Sequence, residues 1–161
     1  MSKKSDSSRT GEPHIENRRA RHDYFIDETI ECGIKLTGTE IKSIRDGQVS
    51  LAEGYVRATE TPLALTLHGV HIAEYPKAGP AHQHNPTRPR ALLAHAREIR
   101  KLADRTRVRG TTLVPLKIIF VRGRAKVIVG VARGKKTADK RQDLIKKEAK
   151  REMDRAMTKR G

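Results

Sequence analysis

The chain has 161 residues, one domain's worth, with 35 Lys and Arg against 19 Asp and Glu for a formal net charge of +16. No apolar run approaches the roughly 18 residues of a membrane span, no apolar stretch follows the N-terminal lysines as in a secretory signal, and a single cysteine, Cys32, excludes an internal disulfide framework. A cytoplasmic protein with a polyanionic partner, nucleic acid first, is expected. With only three Tyr, two Phe and no Trp, its recognition surface is not built mainly on base stacking.

The charge is uneven along the chain. Residues 1–21 carry net +3, residues 22–132 net +6 and residues 133–161 net +7. Residues 1–16, rich in Ser, Lys, Asp, Gly and Pro, read as a disordered basic arm. From Tyr24 to Leu36 apolar residues fall on even positions, interrupted by Glu28, the period-two pattern of a half-buried strand with Glu31 on its outer face. Thr37 to Gly47 reads as a short capped helix. Ser50–Thr59 and Leu63–Ile72 read as a hairpin around Thr61-Pro62, and residues 76–90, with four of the seven prolines, as a loop. Leu92 to Leu102 has helical periodicity, with Leu93 in the core by that pattern, and Thr111–Val121 and Lys126–Ala132 form a last strand pair turning at Gly123-Arg124.

These elements predict a mainly β body over residues 17–132: an OB-like antiparallel barrel with accessory helices, or failing that a β-sandwich. Residues 133–161 read as a basic C-terminal tail. Ile145, Ala149, Met153, Ala156 and Met157 recur at helical spacing, but the stripe is narrow. Such a segment is disordered when free and helical on meeting a polyanion, unless it docks on the barrel as a surface helix.

Nothing in the sequence supports an enzyme, a cofactor or a metal site. Paired carboxylates are absent at suggestive spacings, His68 and His71 fall on opposite strand faces, and the Walker spacing is missing. The basic clusters are more informative: Arg19 and His22 before the first strand, Arg88 and Arg90 before the second helix, Arg122, Arg124 and Lys126 on the last hairpin, and Arg133, Lys135 and Lys136 after it. Scattered arginines with few aromatics favour structured RNA, bound through its phosphates and shape.

The segments NRRARHDYFI (17–26), ECGIKLTGTEIKSIRDG (31–47), HIAEY (71–75), NPTRPRALL (85–93), LVPLKIIF (113–120), VIVGVARGKK (127–136) and DKR (139–141) together resemble the SmpB family of bacterial SsrA-binding proteins. The resemblance implies binding to the tRNA-like domain of transfer-messenger RNA (tmRNA). It also implies delivery of that RNA to ribosomes stalled on non-stop mRNA for trans-translation, the tail turning helical in the empty mRNA channel by the decoding centre. Asn17, Glu31 and Leu93 match family positions tied to RNA binding, and Tyr24, Arg133, Lys135 and Lys136 match further RNA-contacting ones. Asp139, Lys140 and Arg141 match the tail motif, with Lys146, Arg151 and Met157 expected to serve the tail on the ribosome. The protein is expected to act as a monomer, with tmRNA and the ribosome as partners and no membrane. The alternative is a general RNA-binding or ribosome-associated structural protein.

Overall fold

The structure is a computed structural model that describes residues 12–159. Residues 1–11 of the expected arm and 160–161 of the tail lie outside the described residues. In chain order the elements are β1 (Ile15–Glu16), α1 (Arg18–Asp23), β2 (Tyr24–Ile34), α2 (Gly38–Arg45), β3 (Val49–Ser50), β4 (Tyr55–Glu60), β5 (Leu63–His68), β6 (His71–Ile72), β7 (Arg90–Leu93), α3 (Ala96–Thr106), β8 (Thr111–Val121), β9 (Arg124–Gly134) and α4 (Thr137–Thr158). All strand pairs among them are antiparallel. The order β8-β4-β5-β7-β2-β9 closes on itself because β9 also pairs with β8, so the sheet is a barrel with accessory helices, as the sequence predicts.

Inward positions of the long strands fill the barrel. Val127, Val129 and Val131 of β9 face Leu113 and Ile118 of β8, Leu65 and Leu67 of β5 and Cys32 of β2, all buried. Each fully buried aliphatic side chain contributes roughly 1.5–3 kcal/mol. Burial pushes the Cys32 thiol up to about 11, with Glu98 and Glu31 adding to it, so Cys32 is a packing residue. A second, smaller cluster lies on the outer side of the β8–β9 ribbon, where Ala20 of α1 packs with Val114, Leu116 and Ala132.

The even-position pattern of β2 serves both clusters because the strand changes face. Ile26 pairs with Ala132 and Glu28 with Val131, leaving Asp27 as a bulge. Ile26 therefore packs in the outer cluster, whereas Ile30 and Cys32, beyond the bulge, pack inside the barrel. Glu28 falls at the barrel's end and pairs there with Lys101 of α3.

Several boundaries differ from the sequence reading. The last strand runs from Arg124 to Gly134, longer than the expected Lys126–Ala132, and its turn is Arg122-Gly123, one residue earlier than expected. Ile15 and Glu16 belong to the body: Ile15, the isoleucine of the expected arm, is buried and pairs with Ile118. The first strand of the hairpin around Thr61-Pro62 begins at Tyr55, later than expected. The strand expected over Leu63–Ile72 breaks at Gly69, whose φ of +71° and close approach to the Glu53 carbonyl, 2.4 Å from where a Cβ would sit, admit only glycine. Leu92 and Leu93 end β7, and α3 starts only at Ala96, where Glu98 accepts a hydrogen bond from the His95 N–H at 3.1 Å.

A buried ion cluster locks these parts together. Glu40, in the first turn of α2, is fully buried. Its carboxylate accepts two 2.6 Å hydrogen bonds from Arg88, one of 2.9 Å from Arg90 and one of 2.9 Å from the Thr37 N–H. Arg90, 0% exposed, also donates to the carbonyls of Val70 and Pro86. This corrects one RNA-binding expectation, since Arg90 has no accessible surface; Arg88 remains a third exposed while its guanidinium bonds Glu40. Burial on its own would raise the Glu40 carboxyl, but the bonds from Arg88, Thr37 and Arg90 outweigh it and bring it to about 2.

Glu40→Gln leaves Arg90 as an uncompensated buried charge and should cost about 3–5 kcal/mol of unfolding free energy in urea. A carboxyl depressed in the folded state stabilises above its ordinary value of 4.5 and loses that contribution as pH falls through about 2. Wild-type stability measured between pH 5 and pH 2 should therefore drop more steeply than that of Glu40→Gln.

Candidate nucleic-acid interface

The expected contact residues fall into two surface patches at opposite ends of the β2–β9 ribbon, plus an interior set. From Phe25 to Gly33 the ribbon runs roughly 25 Å, at about 3.3 Å per residue.

The first patch is the outer face of three adjacent strands. Gly33 of β2 is the Cα partner of both Leu93 of β7 and Lys126 of β9, so these residues form one row across the sheet. Glu31, opposite Ile128, forms the next row. Leu93 is 51% exposed, which corrects the core position expected from helical spacing: it sits on a strand and points outward. A Cβ on Gly33 would come within 3.2 Å of the Leu93 Cβ, so the missing side chain lets Leu93 lie close over β2. Glu31 is exposed, and no side-chain or ion-pair partner engages it among the described residues. An isolated carboxylate beside an apolar knob and a lysine offers two acceptors to amino or hydroxyl donors and a cation to a phosphate. Arg124, two residues before Lys126, continues this face toward the hairpin tip.

The second patch surrounds α1, the start of β2 and the end of β9. Arg19, Tyr24, Asp23, Glu53 and Tyr55 line an open cavity of about 220 Å³. His22 is exposed, with its Nδ1 3.0 Å from Asp23. Arg133 makes a two-pronged bond to Asp27 at 2.8 and 3.0 Å and lies over the Phe25 ring. That bond holds the Asp27 carboxyl below its usual range. Arg19 bonds Glu53 and lies 3.6 Å from Asp23. The cations here are thus largely matched by carboxylates, which the charge count alone did not reveal.

Two further expected contact residues make bonds inside the protein. Asn17 is buried: its Nδ2 donates to the carbonyls of Leu51 and Pro115 at 3.1 and 2.9 Å, and its Oδ1 accepts from the Ala20 N–H, capping α1. With its amide engaged inside the protein, Asn17 holds α1 against the barrel, and it also borders the cavity lined by Arg19 and Tyr24. Lys135, with a side chain only 9% exposed, donates to the Arg21 carbonyl at 3.2 Å and pairs with Asp143. It anchors the tail to the body; Lys136, next to it, is exposed.

The tail motif starts α4. Asp139 accepts from the Lys136 N–H, and Lys140 reaches Asp23 at 3.1 Å. The Lys135 bond holds the Asp143 carboxyl low, and hydrogen bonds from His22 and then Lys140 do the same for Asp23. Arg141, Lys146, Arg151 and Met157 are exposed, and α4 has no buried residue. After Asp143 the helix leaves the barrel with Leu144, Ile145, Met153 and Met157 open to solvent. Sequence reasoning missed Asp23, Asp27 and Asp143 as partners of the basic clusters. The sequence signal for Asp143 is its i,i+4 spacing to Lys147, and the structure pairs it with Lys135 instead.

Asp143→Asn removes one of the two ties at the base of α4. Tryptic cleavage between residues 137 and 147 should accelerate several-fold, while the barrel's thermal transition stays where it was.

Three comparisons bear on this arrangement. Residues 14–159 match the family model described as SmpB protein. The chain is 53% identical over 145 residues to the SsrA-binding protein of Roseiflexus castenholzii, with 90% of each chain covered, and 49% identical over 158 residues to that of Thermobifida fusca, with 98% of this chain and 97% of the relative covered. A solved structure described as "tmRNA-SmpB: a journey to the center of the bacterial ribosome" superposes with a TM-score of 0.66 at 46% identity, covering 82% of this chain and 94% of that one.

Proposed function

We propose, from the premise that the chain belongs to the SmpB family, that it binds the tRNA-like domain of tmRNA and brings it to ribosomes stalled on non-stop mRNA for trans-translation. The family match over residues 14–159 carries this reading, and the division of the surface supports it. The protein is an RNA-binding factor and performs no chemistry of its own. Among the described residues no helix is long and apolar enough to cross a membrane, and the proposed work lies in the cytoplasm with the ribosome.

The two patches suit two tasks. The Glu31–Leu93–Lys126 face is a rigid, partly apolar platform for a folded RNA, held by shape, phosphates and a few polar groups. Its low aromatic content fits this mode. The second patch adjoins α4 and faces the ribosomal side. Beyond Asp143, α4 has no buried residue and no ion pair braces it among the described residues. In the free protein it frays, and it becomes continuously helical against the RNA walls of an empty mRNA channel. An occupied channel excludes it, so helix formation reports a vacancy.

Purification of the tagged protein from a bacterial lysate at moderate salt should enrich tmRNA far above ribosomal RNA; enrichment of bulk ribosomal RNA alone would mark a general ribosome-associated protein. Glu31→Ala should weaken binding to a tRNA-like-domain transcript about tenfold with an unchanged circular dichroism spectrum, whereas lost folding would make Glu31 structural. Truncation after Lys136 should keep transcript affinity within about twofold and abolish tagging in a stalled-translation assay.

A further inference from the structure

The tip of the β8–β9 hairpin gathers cations that no carboxylate balances among the described residues. β8 ends at Val121 and β9 starts at Arg124, which are Cα partners, so Arg122 and Gly123 form a two-residue turn. Both have positive φ, 51° and 77°, the pattern of a type I′ turn. Such a turn favours Asn-Gly, because Asn enters the left-handed region more readily than a long side chain. Arg122 is the only non-glycine residue with positive φ among the described residues. The local geometry therefore works against arginine here, and strain of this kind points to a use for the side chain.

A third arginine comes from elsewhere in the chain. Arg45 ends α2, 78 residues away in sequence, and its Nη2 donates to the Gly123 carbonyl at 3.3 Å. That single bond sets the guanidinium beside the turn and leaves most of its donors free. Arg45, Arg122 and Arg124 are all exposed, and none is within ion-pair distance of a carboxylate among the described residues. The second patch, by contrast, pairs Arg19, Arg133, Lys135 and Lys140 with Asp or Glu.

The tip is continuous with the first patch. Arg124, Lys126 and Ile128 alternate with the buried Ala125 and Val127, so they share the outer face of β9, and Lys126 lies in the row of Gly33 and Leu93. An RNA seated on Glu31 and Leu93 that extends along the ribbon therefore passes over the hairpin tip.

We infer that Arg45, Arg122 and Arg124 form a phosphate clamp that grips the sugar–phosphate backbone of the same folded RNA beyond the Glu31–Leu93 platform; this rests on the proposed role of that platform in binding the tRNA-like domain. Guanidinium groups match phosphate oxygens in two-pronged geometry, and a strand crossing the tip presents successive phosphates to all three. The clamp carries no sequence information. It adds affinity and fixes how far along the ribbon the RNA lies.

The test uses the full-length protein and a tRNA-like-domain transcript. Arg122→Asn installs the residue the turn prefers, so the melting temperature should hold or rise while affinity falls about three- to tenfold; a residue with a merely structural role would not move the two in that way. The triple variant Arg45→Gln, Arg122→Asn, Arg124→Gln should flatten the plot of log affinity against log salt by two to three units, about one for each phosphate that the protein no longer neutralises. If Glu31→Ala weakens binding and the triple variant leaves both affinity and slope unchanged, the clamp is overturned while the function stands. If the triple variant instead loses affinity only for purified ribosomes, the tip serves another RNA and the inference is wrong. If Glu31→Ala also has no effect, the RNA-binding role of the platform itself fails.

Discussion

A carboxylate with no access to water organises this protein. Glu40 sits where an isolated charge is prohibitively costly, and it is tolerated because two guanidinium groups and a backbone N–H converge on it. Those partners come from different places: Thr37 from the start of α2, Arg88 from the long loop and Arg90 from the first position of β7. Arg90 in turn ties down the carbonyls of Val70 and Pro86. His84 adds to the same junction, bonding Thr39 at 2.8 Å and the Ile72 carbonyl at 2.9 Å. A proline-rich stretch that would otherwise wander is thereby fixed against α2, and α2 is held so that its last residue, Arg45, meets the hairpin tip.

The barrel was legible in the sequence because period-two alternation is a local signal, and β2, β8 and β9 are long enough to display it. Its errors have physical sources. The bulge at Asp27 changes the face of β2 without disturbing the even-position pattern, so the alternation alone could not show that Ile26 and Ile30 look in opposite directions. Leu92 and Leu93 fit a helical stripe as well as a strand, and the strand's long-range pairing with β2 and β5 decided the matter.

The site was legible in outline, and its internal pairing was not, for a related reason. Sequence counts charges but does not reveal which ones meet. Arg90 and Arg124 look alike in a string of letters; one is entombed with a carboxylate and the other stands free in solvent. Asn17 and Lys135, expected at the RNA interface, also fasten α1 and α4 to the body. Pairing matches much of the positive charge around α1 and the end of β9, whereas Arg45, Arg122 and Arg124 at the hairpin tip have no ion-pair partner among the described residues.

The ribbon of β2 and β9 has one more property. Both strands belong to a closed barrel, and nine Cα pairs bind them to each other. The spacing between the platform and the root of the tail is therefore a fixed gauge that no hinge inside the body can alter. Whatever flexing a large assembly demands must be supplied by the RNA on one side or by the chain after Gly134 on the other. The protein is a rigid spacer between two compliant arms.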